Sequence, residues 1–323
     1  MLRIAIPDDY QDAVRTLDCF GKLAGHSVSV YNESVADLDA LVALLQDADA
    51  LVLIRERTAI TAALLDRLPR LRFISQTGRG ASHIDLKACT ERRIAVAVGV
   101  GSPVAPAELT WALIMASIRR IPQEVSALKA GRWQAAPLGV GLYGRMLGIF
   151  GYGSIGTLIA HYGAAFGMRI LVWGREGSRS RATADGLDVA TSQHDLFSQS
   201  DVLSIHVKLS NETRGLITLA HLTAMKPSAL VVNTSRAELI APDALVDALR
   251  AGRPSFAAVD VYESEPVISH PLLLMDNVIC TPHLGYVERD SYELYFGTAF
   301  DNLNTYFAGK LVTLANPEVT NRV

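Results

Sequence analysis

Short apolar runs recur along almost the whole chain, and most are followed by a stretch of helical period. In the first third these runs are "RIAIP" (Arg3–Pro7), "HSVSVYN" (His26–Asn32), "ALVLI" (Ala50–Ile54), "LRFISQ" (Leu71–Gln76) and "IAVAV" (Ile94–Val98). These read as strands, the last three of them buried. Between them, "DDYQDAVRTLDCF" and "VADLDALVALLQDA" (Val35–Ala48) read as helices, the latter with Leu38, Leu41 and Leu45 on one face. Strands alternating with helices at this spacing imply a parallel sheet covered by helices.

A second series opens with a long helix predicted from Pro106 to Ala130, "AELTWALIMASIRRIPQEVSALKAG", with Gly131 as its stop. The strands "RMLGIFG", "MRILVWG", "DVLSIHV", "ALVVNTS", "FAAVDVY" and "NVICTPH" follow. A last amphipathic helix, Ser291–Gly309, has too little chain after it to found a domain, so it is expected to pack back on the N-terminal series. The fold class is therefore α/β with two doubly wound domains, the second inserted into the first. The expected bounds are 1–101 with 291–323 for one domain and 102–290 for the other.

Bulk properties narrow the partners. The chain has 323 residues and a formal net charge of −3, which points to neither nucleic acid nor an anionic membrane. Cys19, Cys89 and Cys280 stand far apart in no metal-ligand spacing, so neither a disulfide framework nor a metal site is expected. Met1 leads straight into a strand, with no signal peptide and no apolar run of spanning length. A soluble, cytoplasmic protein is the expectation.

The stretch "GIFGYGSIGTLIA" places Gly151, Gly153 and Gly156 between a strand and a helix that opens at Ser154 or Ile155. That context suits a pyrophosphate cradle. Gly151 permits the tight turn, Gly153 the backbone's approach to the phosphates, and Gly156 close packing of helix on strand. The first-turn N–H groups then face the anion. The next strand, "MRILVWGREGSRSRA", ends in Trp173, Gly174 and Arg175 where an NAD-selective site usually carries an acid. With Arg179 and Arg181 close behind, this favours NADP(H); Glu176 keeps NAD(H) open.

Arg236, Glu265 and His283 each follow a later strand, where ligands of open α/β sheets bind. Taken singly, each also reads as a solvated or turn residue.

The pieces "LGIFGYGSIG", "DVLSIHVKLSNETRGLI", "MKPSALVVNTSRAELI", "AAVDVYESEP" and "DNVICTPHLG" run in order from Gly148 to Gly285. Together they resemble the D-isomer-specific 2-hydroxyacid dehydrogenase family, which includes glyoxylate and hydroxypyruvate reductases and phosphoglycerate dehydrogenase. "LRFISQTGRGASHIDL" resembles the family's substrate-side loop. The resemblance implies a Rossmann cofactor domain inserted into a flavodoxin-like substrate domain. It also implies reduction of a small 2-oxo acid to the D-2-hydroxy acid. Arg236 would grip the substrate carboxylate, and His283 would be the acid/base with Glu265 beside it. Asp260 would hold the nicotinamide carboxamide, with Thr234 and the backbone from His206 to Leu209 lining the cofactor. The Gly78–Arg79–Gly80 backbone would lie near the substrate carboxylate. Arg55 and Tyr286 are further substrate-side candidates, or a loop arginine and a packing residue.

Two departures stand out: "VAVGVGSPVAPAELT" lacks the family's Asn-x-Pro-Gly at the domain crossing, and "WGRE" lacks the common acid. A nucleotide-sensing corepressor of the same fold is the alternative function. The apolar helix from 106 to 130 reads as a homodimer interface, as the resemblance implies, or as a helix buried inside one chain.

Overall fold

The apolar runs form two separate parallel sheets in the computed structural model, which describes residues 1–319. Residues 320–323 of the expected C-terminal piece lie outside the described residues. The chain divides into two compact units, Met1–Ser102 with Glu288 onward, and Pro103–Val287. The joints lie one and three residues from the sequence-based bounds.

In the first unit, strands β1 (Arg3–Ile6), β2 (Ser27–Val30), β3 (Ala50–Leu53), β4 (Phe73–Gln76) and β5 (Ala95–Val98) lie in the order β2-β1-β3-β4-β5. All neighbours are parallel, the flavodoxin-like arrangement. Strands β3 and β4 are buried along their whole length; β3 is accordingly apolar on both faces, while β4 buries Ser75 and Gln76 beside Phe73 and Ile74. The terminal helix Arg289–Phe307 packs on β4 in this unit, where Ser75 Oγ donates to the carbonyl of Ala299 at 2.8 Å.

The second unit holds β6 (Met146–Phe150), β7 (Arg169–Trp173), β8 (Asp188–Val189), β9 (Val202–Ile205), β10 (Leu230–Asn233), β11 (Phe256–Val259) and β12 (Val278–Cys280). Their order is β12-β11-β10-β9-β6-β7-β8. This is the Rossmann order, with its switch point between β6 and β9, extended by one strand.

Two expected helices change. "DDYQDAVRTLDCF" forms no α-helix, only 3₁₀ turns at Val14–Thr16 and Asp18–Leu23. Asp8 and Asp12 take φ of +64° and +48°, and the Asp9 carboxylate accepts the Val14 amide at 2.9 Å. Short acidic side chains here out-compete the helical ladder for backbone donors.

The long helix is two helices, Val104–Ile118 and Ile121–Lys129. Arg120 turns left-handed at φ +57°, and Pro122 sits in the first turn of the second helix. In a continuous helix its ring would press on the Ile118 carbonyl, and no N–H would complete the ladder. The first helix packs inside its unit, burying Ala107, Leu113, Ile114 and Ile118. The apolar excess is exposed further along, at Ile121, Val125, Leu128, Trp133, Leu138 and Tyr143.

All three cysteines are free thiols, and no helix among the described residues is long and apolar enough to cross a membrane.

Candidate active site

The glycine turn lies beside the switch point of the second sheet. Gly151 follows β6 at φ +99°, and its amide donates to the Trp173 carbonyl at 2.8 Å. A Cβ there would stand 2.5 Å from the His206 carbonyl oxygen on the loop after β9. Gly156 is equally constrained, because a Cβ would collide with the Gly151 carbonyl. Gly153 is different. It is exposed and extended at φ −103°, and an added Cβ would meet nothing within 4 Å. It caps the helix Ser154–Ala165, whose first intrahelical bond comes from Thr157 N to Gly153 O at 2.9 Å. The amides of Ser154, Ile155 and Gly156 therefore have no acceptor within the helix. Open space beside three N–H groups at a helix N-terminus suits a pyrophosphate.

The arginines after β7 divide. Arg179 lies 4.7 Å over the Trp173 ring, and Arg181 donates to the Tyr152 carbonyl at 2.7 Å. Arg175 caps the helix Glu176–Ala184 with its side chain 70% exposed, paired to the equally exposed Glu212 at 3.1 Å. Gly174 lies against the turn, an added Cβ there standing 3.5 Å from Gly151 Cα. His206 points its Nε2 at Ser204 Oγ, 2.8 Å away, and burial drives its pKa down to about 3.

Glu265 and His283, 18 residues apart, meet. His283 Nδ1 lies 2.6 Å from Glu265 Oε2, and the other carboxylate oxygen accepts the Tyr262 amide at 3.0 Å. A carboxylate only accepts, so Nδ1 carries the proton and Nε2, across the ring, is the nitrogen left for other partners. Burial pushes the Glu265 carboxyl up. The His283 hydrogen bond and charge, the Tyr262 amide and the Arg236 charge outweigh it, leaving Glu265 below its usual value.

His283 adopts a left-handed φ of +53°, a strain of about 1–2 kcal/mol for a residue with a Cβ. Asp260 holds that loop. Fully buried, it accepts from Thr281 Oγ1 (2.6 Å), the Leu284 amide (2.7 Å) and the Gly285 amide (2.9 Å). Burial raises its carboxyl, opposed by these same bonds and the His283 charge. Tyr286, buried, packs in a T-shaped contact with the His283 ring at 5.5 Å between centroids.

Arg236 follows β10 on a turn made by Asn233, whose side chain donates to the Arg236 carbonyl at 2.9 Å and accepts the Ser235 amide at 3.1 Å. Its own Nη1 donates to the Ser235 carbonyl at 2.8 Å. Thr234 pairs with Thr110 at 2.7 Å. Asn233, Tyr262 and Thr281 were not singled out from the sequence. Only Asn233, at a strand end before Thr-Ser, carries a readable signal, that of an Asx turn.

In the first unit, Arg55 follows β3 at φ +53°, and Gly78 and Gly80 follow β4, with Gly78 at φ +89°. Gly78 is buried and its carbonyl accepts the Gly99 amide at 2.8 Å, while Arg79 is exposed.

The second unit is thus a doubly wound domain of the nucleotide-binding class, with a histidine–carboxylate pair at the carboxyl ends of its strands. Residues 111–285 match the family model of the D-isomer specific 2-hydroxyacid dehydrogenase NAD binding domain. The glyoxylate reductase of Aeropyrum pernix is 38% identical, over 87% of each chain. The D-3-phosphoglycerate dehydrogenase of Methanocaldococcus jannaschii is 34% identical over 88% of this chain, which spans only 53% of that relative. The crystal structure of a phosphoglycerate oxidoreductase from Vibrio cholerae O395 is 50% identical with a TM-score of 0.93, covering 95% of this chain and 99% of that one. This chain belongs to the D-isomer-specific 2-hydroxyacid dehydrogenase family.

Proposed function

We propose that this protein reduces a small 2-oxo acid to the corresponding D-2-hydroxy acid. The observation that carries the reading is the His283–Glu265 pair, with its Nδ1 proton fixed on the carboxylate and Nε2 left for substrate. A nicotinamide dinucleotide, when bound, supplies the hydride for the carbonyl carbon. His283 donates the proton to the carbonyl oxygen from Nε2, and takes it back in the oxidative direction. Glu265, ionised, accepts the Nδ1 proton and so fixes the ring's tautomer and orientation. Arg236 grips the substrate carboxylate with a planar fork that Lys lacks. From the first unit, the Gly78–Gly80 backbone and Arg55 are assigned to the same carboxylate, on resemblance. Asp260 serves first to hold the strained His283 loop, and its assignment to the carboxamide rests on resemblance.

The cofactor assignment is NADP(H) over NAD(H), supported by the missing acid at Trp173–Gly174–Arg175 and by the exposed Arg175. Arg181 is turned to the Tyr152 carbonyl, which leaves Arg175, paired with Glu212, and Arg179, stacked on Trp173 with its Nε unbonded among the described residues, to carry it. A homodimer is proposed through Ile121–Lys129 and the segment bearing Trp133, Leu138 and Tyr143, supported by the run of exposed large apolar side chains there.

The test is oxidation of NADPH and of NADH with glyoxylate, hydroxypyruvate, pyruvate and phenylpyruvate, by wild type and His283→Ala. Turnover preferring NADPH and abolished in the variant is expected. Preference for NADH overturns the Arg175 reading alone. Cofactor binding without turnover of any acid transfers the weight to a nucleotide-sensing role.

A further inference from the structure

Two glycines on the loop after β4 are met by side chains of opposite charge from the loop after β3. Arg55 lies on Gly78, where an added Cβ would collide with its guanidinium. Glu56, the next residue, lies on Gly80, where an added Cβ would stand 2.5 Å from its carboxylate Oε1. In an extended strand consecutive side chains point to opposite faces. The left-handed turn at Arg55 breaks that alternation, so both reach the same loop.

The turn is strapped in place. The Arg55 amide donates to Thr77 Oγ1 at 2.9 Å, and its carbonyl accepts from Gln76 Nε2 at 2.7 Å. Thr77 Oγ1 in turn donates to the Leu53 carbonyl at 2.8 Å. Arg57 is directed elsewhere, donating to the Asp8 carbonyl at 2.6 Å and lying 4.3 Å from the centre of the Tyr10 ring. His83, on the same loop as the glycines, has both ring nitrogens buried without a hydrogen-bond partner among the described residues. Burial lowers its pKa, with Glu56 opposing and Arg55 assisting. A neutral imidazole thus lies near a cation at Gly78 and an anion at Gly80.

We propose that Glu56 determines substrate class. It admits 2-oxo acids whose carboxylate is their one anionic group and whose far end is a hydrogen or hydroxyl, and it turns away phosphorylated and dicarboxylic ones. This rests on the assignment of the Gly78–Gly80 backbone to the substrate carboxylate. With that carboxylate at the Arg55 end, a substituent reaching Gly80 meets a negative charge. A hydroxyl donates to it; a phosphate is repelled. The curated relatives bear names of both kinds, glyoxylate reductase and phosphoglycerate dehydrogenase, so similarity alone does not choose.

The experiment compares kcat/KM for hydroxypyruvate and for its phosphate ester in wild type, Glu56→Gln and Glu56→Asp. Gln keeps the shape and removes the charge of an exposed side chain, and Asp keeps the charge. Wild type should favour hydroxypyruvate. The Gln variant should shift the ratio towards the ester by about tenfold to a hundredfold, the effect of removing one like charge a few ångströms away, and mainly in KM. The Asp variant should retain the wild-type ratio. A wild type that uses the ester as well as hydroxypyruvate, or a ratio unmoved in Glu56→Gln while hydroxypyruvate is still reduced, overturns the Glu56 assignment alone. A wild type that reduces glyoxylate but not hydroxypyruvate likewise overturns it alone, whereas one that reduces no 2-oxo acid overturns it together with the proposed function.

Discussion

Replacing Gly153 by Ala separates a phosphate cradle from an ordinary turn. The new methyl would meet no protein atom within 4 Å, and the backbone at φ −103° accepts any residue. Exchanging a glycine helix cap for alanine costs at most about 1 kcal/mol. The fold should therefore barely notice. A bound pyrophosphate would, because the methyl stands where phosphate oxygens must approach the first-turn amides. Losing one charge-assisted bond of about 1.5–3 kcal/mol weakens binding by about tenfold to a hundredfold. Gly156→Ala is the contrasting variant: its methyl collides with the Gly151 carbonyl and meets Ile149 Cγ2 at 3.3 Å. Overpacking of about 1–3 kcal/mol, eased by alanine's helix preference, should lower its stability as well as its affinity. Calorimetric titration with NADPH and NADH beside thermal melts reads both quantities. A Gly153→Ala protein that melts like wild type and binds both dinucleotides undiminished would falsify the cradle reading.

Arg236→Lys should retain the fold and lose about a hundredfold or more in kcat/KM for the best 2-oxo acid, since a point charge replaces a two-pronged grip; a loss below about fivefold in steady-state assays would remove Arg236 from carboxylate binding. Trp133→Ser with Leu138→Ser should yield monomers by sedimentation, and a wild type that is itself monomeric refutes the interface. Asp201 supplies a pH test. Burial raises its carboxyl, but Lys226 at 2.8 Å, the Met146 amide and Arg145 outweigh it and leave it below the usual value. A carboxyl lowered in the folded state contributes stability above its unfolded value near 3.8, lost as pH falls through the lower folded value. Asp201→Asn should be less stable than wild type in denaturant melts at pH 7, the gap closing below about pH 4; a gap independent of pH contradicts the ion-pair account.

Each sheet could be read from the sequence because strands buried on both faces are mostly apolar, and "ALVLI", "LGIFG" and "LVV" announce themselves. The glycine turn was equally legible, since only glycine tolerates Gly151's φ and the approach of the His206 carbonyl. The helix break was written there too: Pro122 was a visible stop that the apolar stripe around it concealed. Local competition was harder to see. Nothing in "DDYQDAV" says that Asp9 will take the Val14 amide in place of a helical acceptor.

Neighbours along the chain are enough to set the alternation of strand and helix, the glycine turn and the residue types at the strand ends. Tertiary structure alone decided what those residues do to one another. It brought Glu265 to His283 across 18 residues, set Asp260 to clamp the loop that bears His283, and turned Arg181 to the Tyr152 carbonyl while leaving Arg175 exposed. It also laid Arg55 and Glu56 on successive glycines of another loop. Such pairings follow from strand order and backbone direction at each strand end, and no period in the sequence encodes either.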